Sequence, residues 1–222
     1  MPSINRLFNY VKYSKDLVLY YEKENRGKAI SPEGFVDADL AGEPTKSRST
    51  CSYVFHFNCT VFSWSSKLLA TITTSTTKAE FMSLFYGAQQ AAWLRNFYKE
   101  LGYPLNNPVT IHCDSKPTIT ILKAEGNHTQ SKHFQLKYNA TWEHVERREI
   151  EVEYVETKSN HANILTKALL APLTATAAEN LGLQTLDSVL NPTPPEEESH
   201  FLDAQDESFT KEDMLALLGD DS

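Results

Sequence analysis

Three carboxylates stand at the ends of apolar runs, where a charged side chain is costly to place. Asp37 ends a short Phe-Val run, Glu80 opens the apolar helical pattern of residues 81–101, and Asp114 ends the strand-like residues 109–113. A buried carboxylate is unfavourable unless it binds a metal ion or accepts hydrogen bonds. We therefore expect these acids to converge on one site.

Short segments around the acids carry a family resemblance. In chain order they are Asp37-Ala38-Asp39-Leu40-Ala41-Gly42, Lys46-Ser47-Arg48-Ser49-Thr50-Cys51-Ser52-Tyr53-Val54-Phe55, Ser63-Trp64-Ser65-Ser66-Lys67 and Ser75-Thr76-Thr77-Lys78-Ala79-Glu80-Phe81-Met82-Ser83-Leu84. Their order and spacing resemble the ribonuclease H domain of Copia-type retrotransposon polyproteins. Four later segments extend the resemblance to residues 4–170: Ala91-Ala92-Trp93-Leu94-Arg95, Ile111-His112-Cys113-Asp114, Ser131-Lys132-His133 and Ile164-Leu165-Thr166-Lys167.

The resemblance implies a Mg²⁺-dependent endonuclease that hydrolyses the RNA strand of RNA:DNA hybrids. Such chemistry uses two Mg²⁺ ions, for which Mn²⁺ can substitute, held by hard oxygen ligands at the scissile phosphate. By the family pattern Asp37 bridges the ions, Glu80 helps to hold one of them and orients the attack, and Asp114 holds them from the adjacent strand. Asp39 is expected to have a structural or supporting role.

One position departs from the family pattern. The family usually has a fourth carboxylate two residues before the position of Leu165, and this chain has Asn163 there. Asparagine keeps an oxygen but loses the negative charge, so we expect weaker binding of the second ion. Gln135 and Asn139 also replace a family acid and a family histidine. An alternative therefore stays open, in which the protein is a catalytically weakened or co-opted module that binds nucleic acid or protein.

Two histidines are candidates for proton transfer. His128 and His133 fall where the family keeps histidines with the same spacing, and His133 is the stronger catalytic candidate as a general acid near product release. The alternative for each is an ordinary surface or packing histidine. His112 and His161 are interpreted as bystanders.

Several lysines are candidates for contacts with nucleic-acid phosphates. They are Lys67, Lys78, Lys116 and Lys132, with Lys137 as a further candidate, and for each the alternative is a solvated surface position. Aromatic residues also recur along residues 78–101, namely Tyr86, Trp93, Phe97 and Tyr98. Core packing is the interpretation we favour for them, and the alternative is that one stacks on a nucleotide.

The polarity pattern predicts an α/β fold. Strands are predicted at residues 17–22, 34–38, 52–57, 60–66, 109–113 and 149–155, and helices at residues 4–14, 78–101, 117–124, 133–147 and from about residue 162. Strand hairpins followed by β-α-β units favour a ribonuclease H-like mixed five-stranded sheet flanked by helices, with a disordered acidic C-terminal tail.

Three regions are expected along the chain. Residues 1–28 resemble a remnant of the reverse transcriptase connection, and residues 29–170 form the ribonuclease H-like domain. Residues 171–222 are interpreted as a linker and an acidic tail, with a short amphipathic helix at residues 211–218 that could dock on a protein partner.

Charge is uneven between these regions. From Thr176 onward there are 12 acidic residues against the single base Lys211, a net charge of −11. Since the whole chain carries −8, residues 1–175 carry +3, which is compatible with binding a nucleic-acid backbone but does not establish it.

Several classes of protein are disfavoured by composition. No apolar run approaches the ~20 residues of a membrane-spanning helix, and the N-terminus lacks a signal-peptide pattern. The three cysteines are odd in number and lack metal-ligand spacing, which favours reduced thiols and an intracellular protein of the cytoplasm or the nucleus, without a membrane partner. No polymerase, protease or integrase motif is present.

Overall fold

The computed structural model describes residues 2–21, 31–42, 47–124, 132–167, 169 and 171–191. The helices and strands in chain order are α1 (Pro2–Ser14), β1 (Leu17–Leu19), β2 (Glu33–Asp39), β3 (Thr50–Phe57), β4 (Thr60–Leu68), α2 (Thr76–Glu100), β5 (Val109–Cys113), α3 (Lys116–Lys123), α4 (Lys132–Glu146), β6 (Ile150–Tyr154), α5 (Ala171–Asn180), β7 (Leu183–Thr185) and α6 (Leu186–Leu190). Two short 3₁₀ helices, Thr157–Ser159 and His161–Leu165, follow β6.

The main sheet has five strands in the order β4-β3-β2-β5-β6. β2 pairs antiparallel with β3 and β3 with β4, whereas β2–β5 and β5–β6 are parallel pairs. β3 and β4 form a hairpin in which Asn58 takes a left-handed conformation, with φ of 49°. The predicted mixed five-stranded sheet flanked by helices is therefore confirmed, and its strands agree with the predicted ones to within a few residues.

The longest helix, α2, supplies much of the core. The Ser75 side chain caps its N-terminus by accepting a hydrogen bond from the backbone N–H of Lys78. Its C-terminus is followed by Gly102 in a left-handed conformation, with φ of 83°, which is common for a glycine directly after a helix. The inward face is apolar and fully buried, and it comprises Phe81, Leu84, Ala88, Ala91 and Leu94. This face packs on the centre of the sheet and fixes the position of the helix start.

The C-terminal boundary predicted for the domain is wrong. Residues 171–190 form α5, β7 and α6, and the compact unit ends at Leu190 instead of residue 170. β7 pairs antiparallel with β1, and buried Leu181 packs in a cluster with Phe35 and Val61. The sequence did not predict this packing against the N-terminal region. The helical periodicity of residues 171–190 is weak, and the two strands that pair have only three residues each.

A second correction concerns the last predicted helix of the domain. From residue 161 the chain forms the 3₁₀ helix His161–Leu165 and not an α-helix. Asn160 is responsible, because its side chain caps this turn at the N–H of Ala162 and also donates to the carbonyl of Val36 on β2. A contact between distant parts of the chain thus overrides the local helical pattern.

Some expectations fall outside the described residues. They are the disordered tail beyond residue 191, the short helix at 211–218, the end of the strand predicted at 17–22, and His128. Within the described part of the chain, no helix combines the length and the apolarity needed to cross a membrane.

Replacing Gly182 with alanine tests whether residues 171–190 belong to the folded unit. Gly182 has φ of 77°, and a Cβ atom there would lie 2.7 Å from the Cα of Thr60. We expect Gly182→Ala to destabilise the protein by roughly 2–4 kcal/mol through strain and overpacking. Gly102→Ala is the matched control, because Gly102 has φ of 83° but open space around it, and it should cost only about 1 kcal/mol. Equal midpoints of urea unfolding for the two variants would contradict the corrected boundary.

Candidate active site

The sheet brings Asp37 and Asp114 side by side. Val36 on β2 is paired in parallel register with Cys113 on β5, so the residue after each lies at the same point of the sheet. Glu80 reaches this point from the first turns of α2. One ligand oxygen from each acid lies within 4.8 Å of the other two. The predicted convergence of the three acids is therefore confirmed.

Burial makes this cluster electrostatically unfavourable without a cation. Asp37 is 2% exposed and Glu80 is 6% exposed. Burial raises the pKa of the Asp37 carboxyl, although a hydrogen bond from Thr166 and the charge of Lys167 oppose the shift. Burial, then the charges of Asp37 and Asp114, raise the pKa of Glu80 to about 9. The Oε2 atom of Glu80 is buried without a hydrogen-bond partner among the described residues. This unpartnered oxygen and the hard carboxylate donors fit a Mg²⁺ site.

The raised pKa of Glu80 gives a test of the metal-free protein. With its pKa raised to about 9, Glu80 is protonated at neutral pH in the metal-free folded state, whereas in the unfolded chain its pKa is near the ordinary 4.5. The folded state therefore binds more protons between these values, and stability falls as pH rises through that window. We expect the Tm in EDTA to fall from about pH 5.5 to about pH 8.5, and to fall less steeply for Glu80→Gln.

The control for this titration is Glu146→Gln, which alters an exposed acid at the end of α4. This variant should retain the slope of the unmodified protein. Added Mg²⁺ should restore the Tm of the unmodified protein at the higher pH, since the ion replaces the proton. A slope unchanged by Glu80→Gln would show that Glu80 ionises normally in the folded protein.

Several residues that hold Asp37 were not predicted as site residues. The Thr166 hydroxyl donates to Oδ2 of Asp37, and Nζ of Lys167 lies 4.0 Å from the same oxygen. The Ser83 hydroxyl on α2 donates to the backbone carbonyl of Asp37 at 2.6 Å. Thr166 and Lys167 lie in the Ile-Leu-Thr-Lys segment of the resemblance, which was the available signal for them. Together these contacts fix both the backbone and the carboxylate of Asp37.

Asn163 makes contacts other than those expected. Its Nδ2 donates to the backbone carbonyl of Thr157 at 2.5 Å, and its Oδ1 is buried without a hydrogen-bond partner among the described residues. The side chain lines a cavity of about 150 Å³ together with Lys167 and Leu173. The hydrogen bond to Asp37 comes from Thr166 instead. An amide suits this arrangement because it can donate to the Thr157 carbonyl, which an ionised carboxylate could not do.

Three histidines, His56, His112 and His161, form a separate group around Phe35. His161 stacks on the Phe35 ring at 4.2 Å, and its Nδ1 lies 3.3 Å from Nε2 of His56. Nε2 of His112 lies 2.5 Å from a carboxylate oxygen of Glu33. Burial, followed by the neighbouring His161, lowers the pKa of His56 to about 4. Within the described residues, none of the side-chain hydrogen bonds of these three rings goes to Asp37, Glu80 or Asp114. The backbone of His133 lies in α4, and its side chain is outside the described residues.

The four candidate lysines separate into different locations. Lys78 and Lys116 line one cavity of about 560 Å³ between the starts of α2 and α3, together with Ser75 and Thr120. Lys132 is exposed at the start of α4. Lys67 lies elsewhere, at the end of β4. The structure thus brings two of the four lysines to one surface beside the helix that carries Glu80.

Core packing is the wrong interpretation for two of the four aromatic residues of α2. Tyr98 is buried at 9% exposure and Tyr86 is half-buried, but Trp93 is 55% exposed and Phe97 is 40% exposed. The helix buries the opposite face, so the ring pair points outward. Sequence periodicity alone did not separate the two faces because both contain large apolar residues.

The sequence comparisons identify retrotransposon relatives. No model of a known protein family matches the chain. Over 137 residues it is 33% identical to a retrovirus-related Pol polyprotein from transposon TNT 1-94 of Nicotiana tabacum, a match that covers 62% of this chain and 10% of the polyprotein. Over 178 residues it is 28% identical to the Pol polyprotein from transposon RE2 of Arabidopsis thaliana, covering 80% of this chain and 12% of the relative. The chain thus spans about a tenth of the length of these relatives.

Two solved structures are similar in backbone. The N-terminal ribonuclease H domain of a Mycobacterium tuberculosis protein aligns with 68% of this chain and 97% of that chain, at 17% identity and a TM-score of 0.45. LC11-RNase H1, solved in complex with an RNA/DNA hybrid, aligns with 61% of this chain and 94% of that chain, at 12% identity and a TM-score of 0.46. At these TM-scores the two alignments add nothing to the sheet order and the sequence matches.

The fold is that of the ribonuclease H-like proteins, with a mixed five-stranded sheet and helices on its faces. Within that class the chain is related to the Pol polyproteins of plant retrotransposons, which confirms the resemblance to the ribonuclease H region of Copia-type polyproteins.

Proposed function

We propose that the protein is a Mg²⁺-dependent endonuclease that hydrolyses the RNA strand of RNA:DNA hybrids inside the cell. The observation that supports it most strongly is the cluster of Asp37, Glu80 and Asp114, with ligand oxygens within 4.8 Å of one another. Hard carboxylate oxygens at this separation suit two Mg²⁺ ions, or Mn²⁺ in their place. Relationship to Pol polyproteins supports the same class of activity.

The three acids would hold the ions, with Asp37 shared between them. When bound, the ions supply Lewis-acid stabilisation of the attacking and leaving oxygens of the phosphodiester. The protein's own part is to keep the ligands rigid, because a ligand displaced by 1 Å loses much of its effect. Thr166 and Lys167 hold one oxygen of Asp37, and Ser83 holds its backbone against α2.

The substrate would lie across the starts of α2, α3 and α4. Lys78 and Lys116 offer positive charge in one cavity, and Ser75 and Thr120 add side-chain hydroxyls suited to phosphate oxygens. Lys132 adds an exposed charge at the start of α4. Contacts of this kind recognise the shape of a hybrid and its 2′-hydroxyl groups, not its base sequence.

Asn163 favours a second candidate function. Asn163 stands where the family has a fourth carboxylate, and its amide is hydrogen-bonded to Thr157. The second ion would therefore be held weakly. In this alternative the protein is a weakened or co-opted module that binds nucleic acid or a protein partner, the acidic tail being the candidate docking segment.

A cleavage assay separates the two functions. A hybrid with end-labelled RNA is incubated with the protein in Mg²⁺, in Mn²⁺ and in EDTA, beside duplex DNA and duplex RNA of the same sequence. We expect metal-dependent cutting of the RNA only in the hybrid. Binding of the hybrid without cleavage in either metal would contradict the nuclease and support the binding module.

A further inference from the structure

A groove runs between α2 and the outer strands β3 and β4, away from the cavity that holds Lys78. Its volume is about 310 Å³, at the lower end of the range for ligand sites. We call it the α2 groove and define it by five of its lining residues: Lys67, Tyr86, Gln89, Gln90 and Trp93. The proposed cleavage chemistry uses none of them apart from Lys67.

Aromatic surfaces border the α2 groove. Trp93 is 55% exposed and stacks on Phe97 with ring centroids 5.2 Å apart and an angle of 10° between the planes. The stacking holds the indole in one orientation and leaves its outer side to solvent. Tyr86 lies nearer the helix start, with Nζ of Lys67 5.0 Å from its ring centre. Flat rings beside a cation are the features that bind unpaired bases and their phosphates.

Amides and hydroxyls occupy the space between these rings. Gln90 is fixed by two hydrogen bonds, accepting from the Tyr53 hydroxyl at 3.3 Å and donating to Ser63 Oγ at 3.2 Å. Gln89 is exposed one residue earlier. A side-chain amide presents both donors and an acceptor, which suits the edge of a nucleobase. The lining combines aromatic rings with amides, hydroxyls and one lysine, and it contains no acid that would repel phosphate.

We propose that the α2 groove binds unpaired nucleotides of a single-stranded segment that flanks the hybrid. This inference rests on the proposed function, since it gives the strand a second contact beyond the acids. Tyr86 and Trp93 lie six and 13 residues after Glu80, or about 9 and 20 Å along the helix at ~1.5 Å per residue. At ~3.4 Å per stacked nucleotide this distance corresponds to roughly three to six nucleotides.

The test measures binding of single strands without cleavage. An oligothymidylate of about eight nucleotides is titrated into the full chain in EDTA, and tryptophan fluorescence and the anisotropy of a labelled oligonucleotide are followed. We expect quenching on binding, and affinity reduced about ten-fold or more by Trp93→Ala but largely kept by Trp93→Phe. Lys67→Ala should reduce the slope of log affinity against log salt by about 0.7.

Trp64→Ala is the matched control. Trp64 is 56% exposed, close to the value for Trp93, but it lies on the other face of the sheet. Its neighbour Ser66 donates to the carbonyl of Leu165 on that face, whereas Ser65 and Lys67 line the α2 groove. Trp64→Ala should leave the affinity for the oligonucleotide unchanged.

Three results would overturn the inference. The first is equal weakening by Trp93→Ala and Trp64→Ala, and the second is no binding of the single strand at all. The third is a dimer that Trp93→Ala dissociates while oligonucleotide affinity stays constant, which would make the groove a protein interface. Cleavage of a blunt hybrid in Mg²⁺ is measured in parallel, so that failure of the groove and failure of the nuclease are told apart.

Discussion

Replacing Asp37 with asparagine is expected to reduce Mg²⁺-dependent cleavage of a hybrid by about 10³-fold or more, equivalent to about 4 kcal/mol of activation free energy. The substitution keeps the shape of the side chain but removes a negative charge that would hold the metal ions. Asp37 is 2% exposed and accepts a hydrogen bond from Thr166, so its carboxylate is fixed in place. The same change should raise the Tm of the protein in EDTA, since it removes a buried negative charge from a cluster whose ligand oxygens lie within 4.8 Å of one another.

These opposite effects make the prediction for Asp37→Asn demanding. Loss of activity through misfolding would lower the Tm, whereas loss of a metal ligand should leave a more stable metal-free protein. Glu33→Gln is the control, as it neutralises an acid at the opposite end of the same strand, where Glu33 pairs with His112. It should leave cleavage near the level of the unmodified protein. Retained cleavage by Asp37→Asn would remove Asp37 from the site.

Replacing Asn163 with aspartate is expected to increase Mg²⁺-dependent cleavage about ten-fold, which corresponds to about 1.4 kcal/mol. The added carboxylate supplies the negative charge that the site of the second ion lacks. A lower Mg²⁺ concentration should therefore give the half-maximal rate. In EDTA the variant should be less stable, because a carboxylate would face the Thr157 carbonyl that now accepts from the amide. The increase in Tm on adding Mg²⁺ should therefore be larger than for the unmodified protein.

Asn163→Ala separates the effect of the added charge from the effect of losing the hydrogen bond to Thr157. It removes the donor to Thr157 without adding a ligand, so it should lower the Tm and give no gain in rate. If Asn163→Asp is folded and binds the hybrid but still cuts nothing, the changes at Gln135 and Asn139 are part of a larger loss of function. The binding module would then be the better description of this protein.

Local signals predicted most of the central sheet. Gly102 marks the end of α2 because a glycine acts on the backbone next to it, whereas the Ser75 cap, which places the helix start at Thr76, was not predicted. Asp37 and Asp114 each follow a strand whose apolar character could be read directly, and a parallel pairing of those strands places the acids together. The roles of these acids came from the family resemblance, not from their spacing alone.

What sequence reasoning missed depends on contacts between distant residues. Leu17 belongs to the first predicted strand, but its partner strand β7 has only three residues, and neither β7 nor the pairing with Thr185 has a local signature. Thr166 is an ordinary turn residue until the fold brings it to Asp37. Trp93 and Phe97 have the apolar character of core residues, and only the packing of the opposite face of α2 shows that they lie outside.

The β1–β7 pair has a mechanical consequence. Because the two strands are antiparallel, the chain enters β1 and leaves β7 at the same end of the ladder, where the N–H of Leu186 donates to the carbonyl of Asp16. Tension between α1 and α6 would load these bonds one after another, starting at that end, and not all at once. The three residue pairs between β1 and β7 would therefore separate in a local unfolding step. The pull would then release β1 and β7 while the strands that carry Asp37 and Asp114 remain paired.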